Sequence, residues 1–236
     1  MIDVKYNFYD DVKDIPKDKK HDPDTRSPTL RKYHHLIWGD KELPHGKFDL
    51  DELLVCKSAN LKFGVDCFYN LYLDHKKPMI KNIIDEAYVG KESERFKEPA
   101  YTIGASLIFP KMGVDSINSR RGCYSTIRDR IDLTLECIRR YYAHERPNPL
   151  ERHLKANKKF FDLFGDFEGY IKFFLLDDFV SDDFKEVNFL LPFDNNLKTD
   201  GYPKNLPEWL LFRDRLGNLI ENRNTRIEKY CKSKKL

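Results

Sequence analysis

The run Tyr101-Thr-Ile-Gly-Ala-Ser-Leu-Ile-Phe109, closed by Pro110, constrains this chain more than any other segment. Its apolar, β-rich composition and terminal proline are those of a buried strand. Such a strand must be covered, and the sequence supplies helices to cover it. From Ser125, read as an N-cap, Ile127, Ile131, Leu135, Ile138 and Tyr142 recur at three- and four-residue spacing. That spacing predicts a helix to about Tyr142 with a core-facing stripe. A second helical region over about 150–180 carries Phe160, Phe161, Phe164, Phe167, Phe173 and Phe174, with Gly165 and Gly169 as points of division. Pro207 opens a last amphipathic helix reaching about Tyr230.

Shorter elements fill the gaps. Residues 53–56 and 61–65 read as two strands joined at Ser58–Asn60, Tyr33–Trp38 as an extended segment, and 187–191 as a further strand. Residues 66–89 read as helix broken near Pro78, and Val4–Tyr9 as an extended patch before a Pro-broken loop. The expected architecture is a single α+β domain, a small mixed β-sheet packed by several helices including a long C-terminal one. It covers residues 1–228, with 229–236 a basic tail.

Composition narrows the class. The 236 residues include 17 Phe, 13 Tyr and 2 Trp, too many aromatics for a disordered polymer despite 34% charged side chains. No apolar run approaches the roughly 18 residues of a membrane span, and the charged start is not a signal peptide. Five cysteines (Cys56, Cys67, Cys123, Cys137, Cys231) with no C-x-x-C pair fit neither a disulfide framework nor a zinc ribbon, which predicts reduced thiols in a cytoplasm.

Motifs that fix a reaction are missing. There is no G-x-x-x-x-G-K-[ST] loop, no H-E-x-x-H pair, and Gly104-Ala-Ser-Leu-Ile108 lacks the second glycine of a nucleophile elbow. Neither a metal nor a cofactor is expected. Arg139–His144 and Arg146–His153 match the spacing used by helical ribonucleases, but a chain with 7 His and 15 Arg produces such pairs by chance.

Charge distribution is more informative than the net charge of +3. Between Lys111 and Arg146 seven of eight basic residues are Arg, in a chain with 27 Lys and 15 Arg. Arginine's planar fork grips phosphate or carboxylate bidentately. On the helix after Ser125, Asp129, Asp132 and Glu136 fall within about 60° of one another, opposite the apolar stripe. The pairs Arg128–Asp132 and Glu136–Arg140 have i,i+4 spacing, so the cluster also has a purely structural reading. The functional reading adds the loop Asp115-Ser-Ile-Asn118-Ser-Arg120-Arg121-Gly122, between the strand's end and the helix's start. In it Asn118, Asp129, Asp132 and Glu136 are candidate catalytic groups. Lys111, Arg120, Arg121, Tyr124, Arg128, Arg139 and Arg140 are candidate nucleic-acid contacts.

This set suits cleavage of an N-glycosidic bond, whose oxocarbenium-like transition state needs a negative charge, a placed water and donors on the departing base. The expected function is a metal-independent, base-excising glycosylase acting on nucleic acid, DNA before RNA. The alternatives are a nucleotide-dependent transferase or ribonuclease toxin, and a non-catalytic nucleic-acid or protein-binding regulatory module. No membrane partner is expected, and the oligomeric state stays open.

The blocks Tyr101-Thr-Ile-Gly104, Ile108-Phe-Pro110, Ile117-Asn-x-Arg-Arg-Gly122 and Ile127-x-Asp-Arg-x-Asp-Leu-Thr-Leu-Glu-Cys-Ile-Arg-Arg-Tyr-Tyr142 resemble the signature of a bacterial family of unknown function. Asp22-Pro-Asp24, Tyr33-His34, Phe160-Phe161, Gly169-Tyr170 and Arg223-Asn224 fit the same pattern. The resemblance implies a soluble bacterial protein and suggests a role in defence against phage. It carries no activity or catalytic residue with it.

Overall fold

The computed structural model describes residues 2–15, 22–58, 60–68, 78–87, 89, 101–111, 116–121, 126–193, 195, 197, 201 and 203–236. Within them the chain builds an α+β domain. Near the N-terminus a 3-10 turn at Phe8–Asp11 replaces the expected extended patch, because Asn7 accepts a hydrogen bond from the Tyr9 amide and starts the turn. Two helices follow, α1 (Pro23–Arg26) and α2 (Pro28–Trp38). The expected extended segment at Tyr33–Trp38 is therefore helix. The Ser27 side chain caps the Leu30 amide, Pro28 opens the helix, and Leu30, Tyr33, His34, Ile37 and Trp38 form one buried stripe.

A hairpin, β1 (Lys41–Leu43) with β2 (Gly46–Phe48), precedes the main sheet. That sheet is antiparallel, not mixed: β3 (Val55–Cys56), β4 (Leu61–Cys67) and β5 (Ser106–Pro110), with β4 central. Phe63 faces Pro110 and Cys67 faces Ser106 across the β4–β5 ladder. β4 alternates, burying Leu61, Phe63, Val65 and Cys67, whereas β5 is buried at every residue. The expected long strand starts late because Ile103–Ala105 turn as a 3-10 helix first.

The helices are α3 (Pro78–Ala87), α4 (Ile117–Arg120), α5 (Ile131–Tyr142), α6 (Glu151–Ala156), α7 (Lys158–Asp162), α8 (Phe167–Phe174) and α9 (Leu206–Lys234). α3 begins at the proline expected to break residues 66–89, and the segment 69–77 lies outside the described residues. Gly165, at φ +81°, separates α7 from α8. Gly169 sits inside α8, where a Cβ would fall 2.1 Å from the Phe164 carbonyl oxygen. Phe160, Phe161, Phe164, Tyr170, Phe173 and Phe174 pack edge-on or tilted, with centroids such as Phe160–Phe164 at 5.1 Å. The strand expected at 187–191 reduces to one bridge, Val180 to Val187.

α9 ties the fold together. The Asn205 side chain caps the Glu208 amide at 3.0 Å while Glu208 reaches back to the Lys204 amide at 2.7 Å. Deep along it, Asn224 Oδ1 accepts from the Gly104 amide at 2.7 Å. Arg223 Nη1 donates to the carbonyls of Gly104 (2.8 Å) and Ser106 (2.7 Å), and its Nε to that of Phe174 (3.1 Å). These bonds join three elements far apart in sequence. Held by carbonyls, with no ion pair to a carboxylate among the described residues, the buried Arg223 guanidinium has its pKa pushed down to about 9 by desolvation. The helix continues to Lys234 with Cys231 buried, so the basic C-terminal residues are largely helical. Cys56, Cys67, Cys137 and Cys231 are free and buried; Cys123 lies outside the described residues.

Candidate functional site

The carboxylates of α5, placed opposite the apolar stripe by the helical periodicity, are buried. Asp132 is fully buried; Arg130 donates to it through Nε at 3.0 Å and also through Nη2, and the Leu190 amide donates to Oδ2 at 2.9 Å. Glu136 accepts from Arg139 Nε at 2.8 Å and from Arg140 Nε at 2.6 Å. Arg139 continues to Glu145 at 2.6 Å, and Arg140 to the Pro147 carbonyl at 2.7 Å and to Asn195. The expected Glu136–Arg140 pair forms, while Asp132 takes Arg130 instead of Arg128. α5 starts at Ile131, so Arg130 is an extended N-cap residue whose side chain folds back over the first turn. Leu190 and Asn195 bond to the same side of the helix, which is why this polar face is covered.

Arg121 makes a second buried node. Its side chain reaches Asp66 through Nη1, Asp129 through Nη2 at 3.1 Å and Thr134 Oγ1 through Nε at 3.0 Å, above the Phe109 ring at 5.2 Å. Arg128 lies so close to Gly201 that a Cβ there would sit 2.0 Å from Arg128 Cγ. The Arg120 side chain and all of Tyr124 lie outside the described residues.

Asn118 and Lys111 lead elsewhere. They line a cleft of about 440 Å³ together with Asp24, Arg31, Leu53, Phe63, Gly64 and Ser116, among others. That volume suits a nucleotide-sized ligand. Strand alternation puts Lys62, Gly64 and Asp66 on one face of β4. A Cβ on Gly64 would meet nothing within 4 Å, so this face has open space at its centre. Lys62 and Lys111, opposed at the end of the β4–β5 ladder where the Lys111 amide donates to the Lys62 carbonyl at 2.7 Å, are both exposed. Neither carries an ion pair among the described residues.

The walls of the cleft hold unsatisfied groups. Asn118 Nδ2 donates to the Val65 carbonyl at 3.1 Å, which fixes the amide's orientation and leaves its buried Oδ1 without a partner. Arg31 donates to the Thr25 carbonyl, yet its buried Nε has none. Asp24 Oδ2 accepts from the Cys67 amide at 3.0 Å, and its buried Oδ1 is unpartnered. Each such atom costs about 1–3 kcal/mol. Burial, then the charges of Asp66 and Asp22, raises the Asp24 pKa well above the usual carboxylate range. A carboxyl whose protonated form is favoured in this way has the chemistry of a proton donor.

Asp24 was not singled out as a catalytic candidate by its sequence. Its only signal was the Asp22-Pro-Asp24 match to the family pattern, since its chemistry comes from β4, 43 residues away. Among the described residues no group of three or more His, Cys, Asp or Glu side chains is placed to hold a metal ion. No described helix is long and apolar enough to cross a membrane.

Comparison with protein families agrees with the extent of this fold. A family of unknown function (DUF6994) matches residues 2–227. The chain belongs to that family. No curated protein and no solved structure matches it.

Proposed function

We propose that the protein is a metal-independent hydrolase of N-glycosidic bonds in nucleic acid, and that the Asp24–Asn118 cleft is its site. The observation that carries this reading is the Asp24 carboxyl, with its buried Oδ1 unpartnered among the described residues, on a nucleotide-sized cleft beside Lys62 and Lys111, two cations with no ion pair among those residues. In the reaction, the Asp24 carboxyl gives its proton to the departing base as the bond from the sugar C1′ to the base nitrogen breaks. The carboxylate so formed stabilises the oxocarbenium-like sugar. Water adds at C1′, and its proton returns to Asp24, restoring the acid. Asn118 orients the base edge or the water, and Lys62 and Lys111 attract the flanking phosphates.

The arginines of α5 and its N-cap have little part in this chemistry, because Arg130, Arg139 and Arg140 are engaged with Asp132 and Glu136. The test is incubation of the protein with plain and base-modified oligonucleotides, followed by alkali to break abasic sites. Strand breaks with the wild type and none with Asp24→Asn are expected. Intact strands across every substrate would refute the chemistry. Salt-sensitive binding without breaks would favour the binding-module reading, in which the lysine pair alone contacts phosphate.

A further inference from the structure

Leu53 is the most exposed large apolar side chain among the described residues, at 76%, and it stands on the lining of the cleft. A single exposed leucine needs no explanation by itself. The way this one is held does. Asp51 Oδ1 accepts from the amides of both Leu53 and Val55 at 2.9 Å, and the Leu54 amide donates to the Asp51 carbonyl at 3.0 Å. Leu54 is forced to φ +59° and buried at 5% exposure, while its carbonyl accepts from the Phe63 amide at 2.9 Å. A branched residue in the left-handed region is strained, and such strain persists only where its surroundings impose it. The turn thus buries one leucine, projects the next into solvent, and fixes both to β4, whose face forms the cleft.

We infer that Leu53 is a wedge that enters a base stack, and that the substrate of the cleft is a nucleotide extruded from a double-stranded nucleic acid. The inference rests on the cleft being a nucleic-acid site. A base inside a duplex cannot reach a cavity, so it must be turned out of the stack. Apolar side chains that insert between base steps occupy the space left behind and hold the step open. A rigid leucine at the mouth of a nucleotide-sized cleft, with Lys62 and Lys111 at the end of the adjoining strand ladder, has the parts for that exchange. A free nucleotide or an unstacked single strand has no need of it.

The test uses oligonucleotides carrying 2-aminopurine, whose fluorescence rises on unstacking, as duplexes and as single strands. The full-length wild type is expected to raise duplex fluorescence at saturation. Leu53→Ala is expected to lose about 10-fold or more of the extruded population, in keeping with an unstacking cost of a few kcal/mol. Its single-strand affinity, read by anisotropy, stays within about twofold, since stacking and phosphate contacts there are independent of the wedge. Leu53→Phe, still apolar and bulky, is expected to retain the rise. Because the side chain is exposed, the melting temperature of either variant should match the wild type.

Equal duplex fluorescence for wild type and Leu53→Ala, or no rise on a duplex that the wild type binds, would overturn the wedge alone. Absence of binding to every strand form would overturn the wedge and the proposed function together. A wedge-dependent rise without alkali-sensitive breaks would uphold the wedge and sink only the glycosidic chemistry.

Discussion

Two acidic regions of this molecule look alike in sequence and behave oppositely in structure. On α5, Asp132 and Glu136 are buried and meet arginine at hydrogen-bonding distance. In the cleft, Asp24 is buried at one oxygen and has no ion pair among the described residues, while Asn118 and Arg31 beside it also have unsatisfied atoms. Matched charges of the first kind hold elements together. Unmatched polar atoms beside an open cleft are instead free to meet water or a ligand. An arginine-rich stretch is therefore a poor guide to a site when its forks are already filled.

The comparison breaks first at Asp132. Replacing it by Ala leaves Arg130, itself 1% exposed, as an uncompensated buried cation and orphans the Leu190 amide. A loss of about 3–5 kcal/mol in denaturant unfolding is expected. A loss below about 1 kcal/mol would mean that the pair is not structural. Glu136→Gln keeps the shape but removes the charge from the Arg139–Arg140 network, and about 1–3 kcal/mol should be lost.

The cleft should respond in the opposite sense. Gly64→Leu projects a side chain into space where a Cβ meets nothing within 4 Å. Oligonucleotide binding should fall by an order of magnitude or more while stability changes by no more than about 0.5–1 kcal/mol, since a strand glycine is itself a weak point. Unchanged binding would place the ligand elsewhere.

The last effect is a slope, small over any one pH unit. Burial, with Arg223 nearby, pushes the pKa of His34 down to about 3, its Nε2 lying 3.1 Å from Ser106 Oγ. The unfolded chain takes up the proton near pH 6.5, so the stability from this group is complete above that pH and is lost as pH falls toward 3. His34→Gln should flatten the slope of stability in that window by up to about 1.4 kcal/mol per pH unit. No change in slope would show that the imidazole is accessible to protons in the fold.

Much of the fold was legible because it is local. Pro207 marks the start of α9, and the apolar run ending at Pro110 marks β5. Where reading failed, a neighbouring cap or a distant partner decided. Ser27 and Pro28, just upstream, set Tyr33–Trp38 as helix where an extended segment is expected. Helical periodicity puts the α5 acids opposite the apolar stripe but cannot know that Leu190 and Asn195 cover that face. Of the candidate site, Asn118 and Lys111 were anticipated and line the cleft, whereas Asp24 depends on the Cys67 amide, the Asp66 charge and the Asn118 loop arriving from elsewhere. No window of sequence contains that meeting.

The most direct measurement follows Asp24→Asn through urea unfolding from pH 4 to 8, alongside base release from oligonucleotides. The folded pKa of Asp24 lies above its unfolded value, so the wild type loses stability as pH rises from the unfolded value toward the folded one. The variant should show no such loss, should be more stable than the wild type near neutrality, and should release no base. A variant that is less stable across the range, or that still releases base at the wild-type rate, would contradict the claim that this carboxyl is held unsatisfied for chemistry.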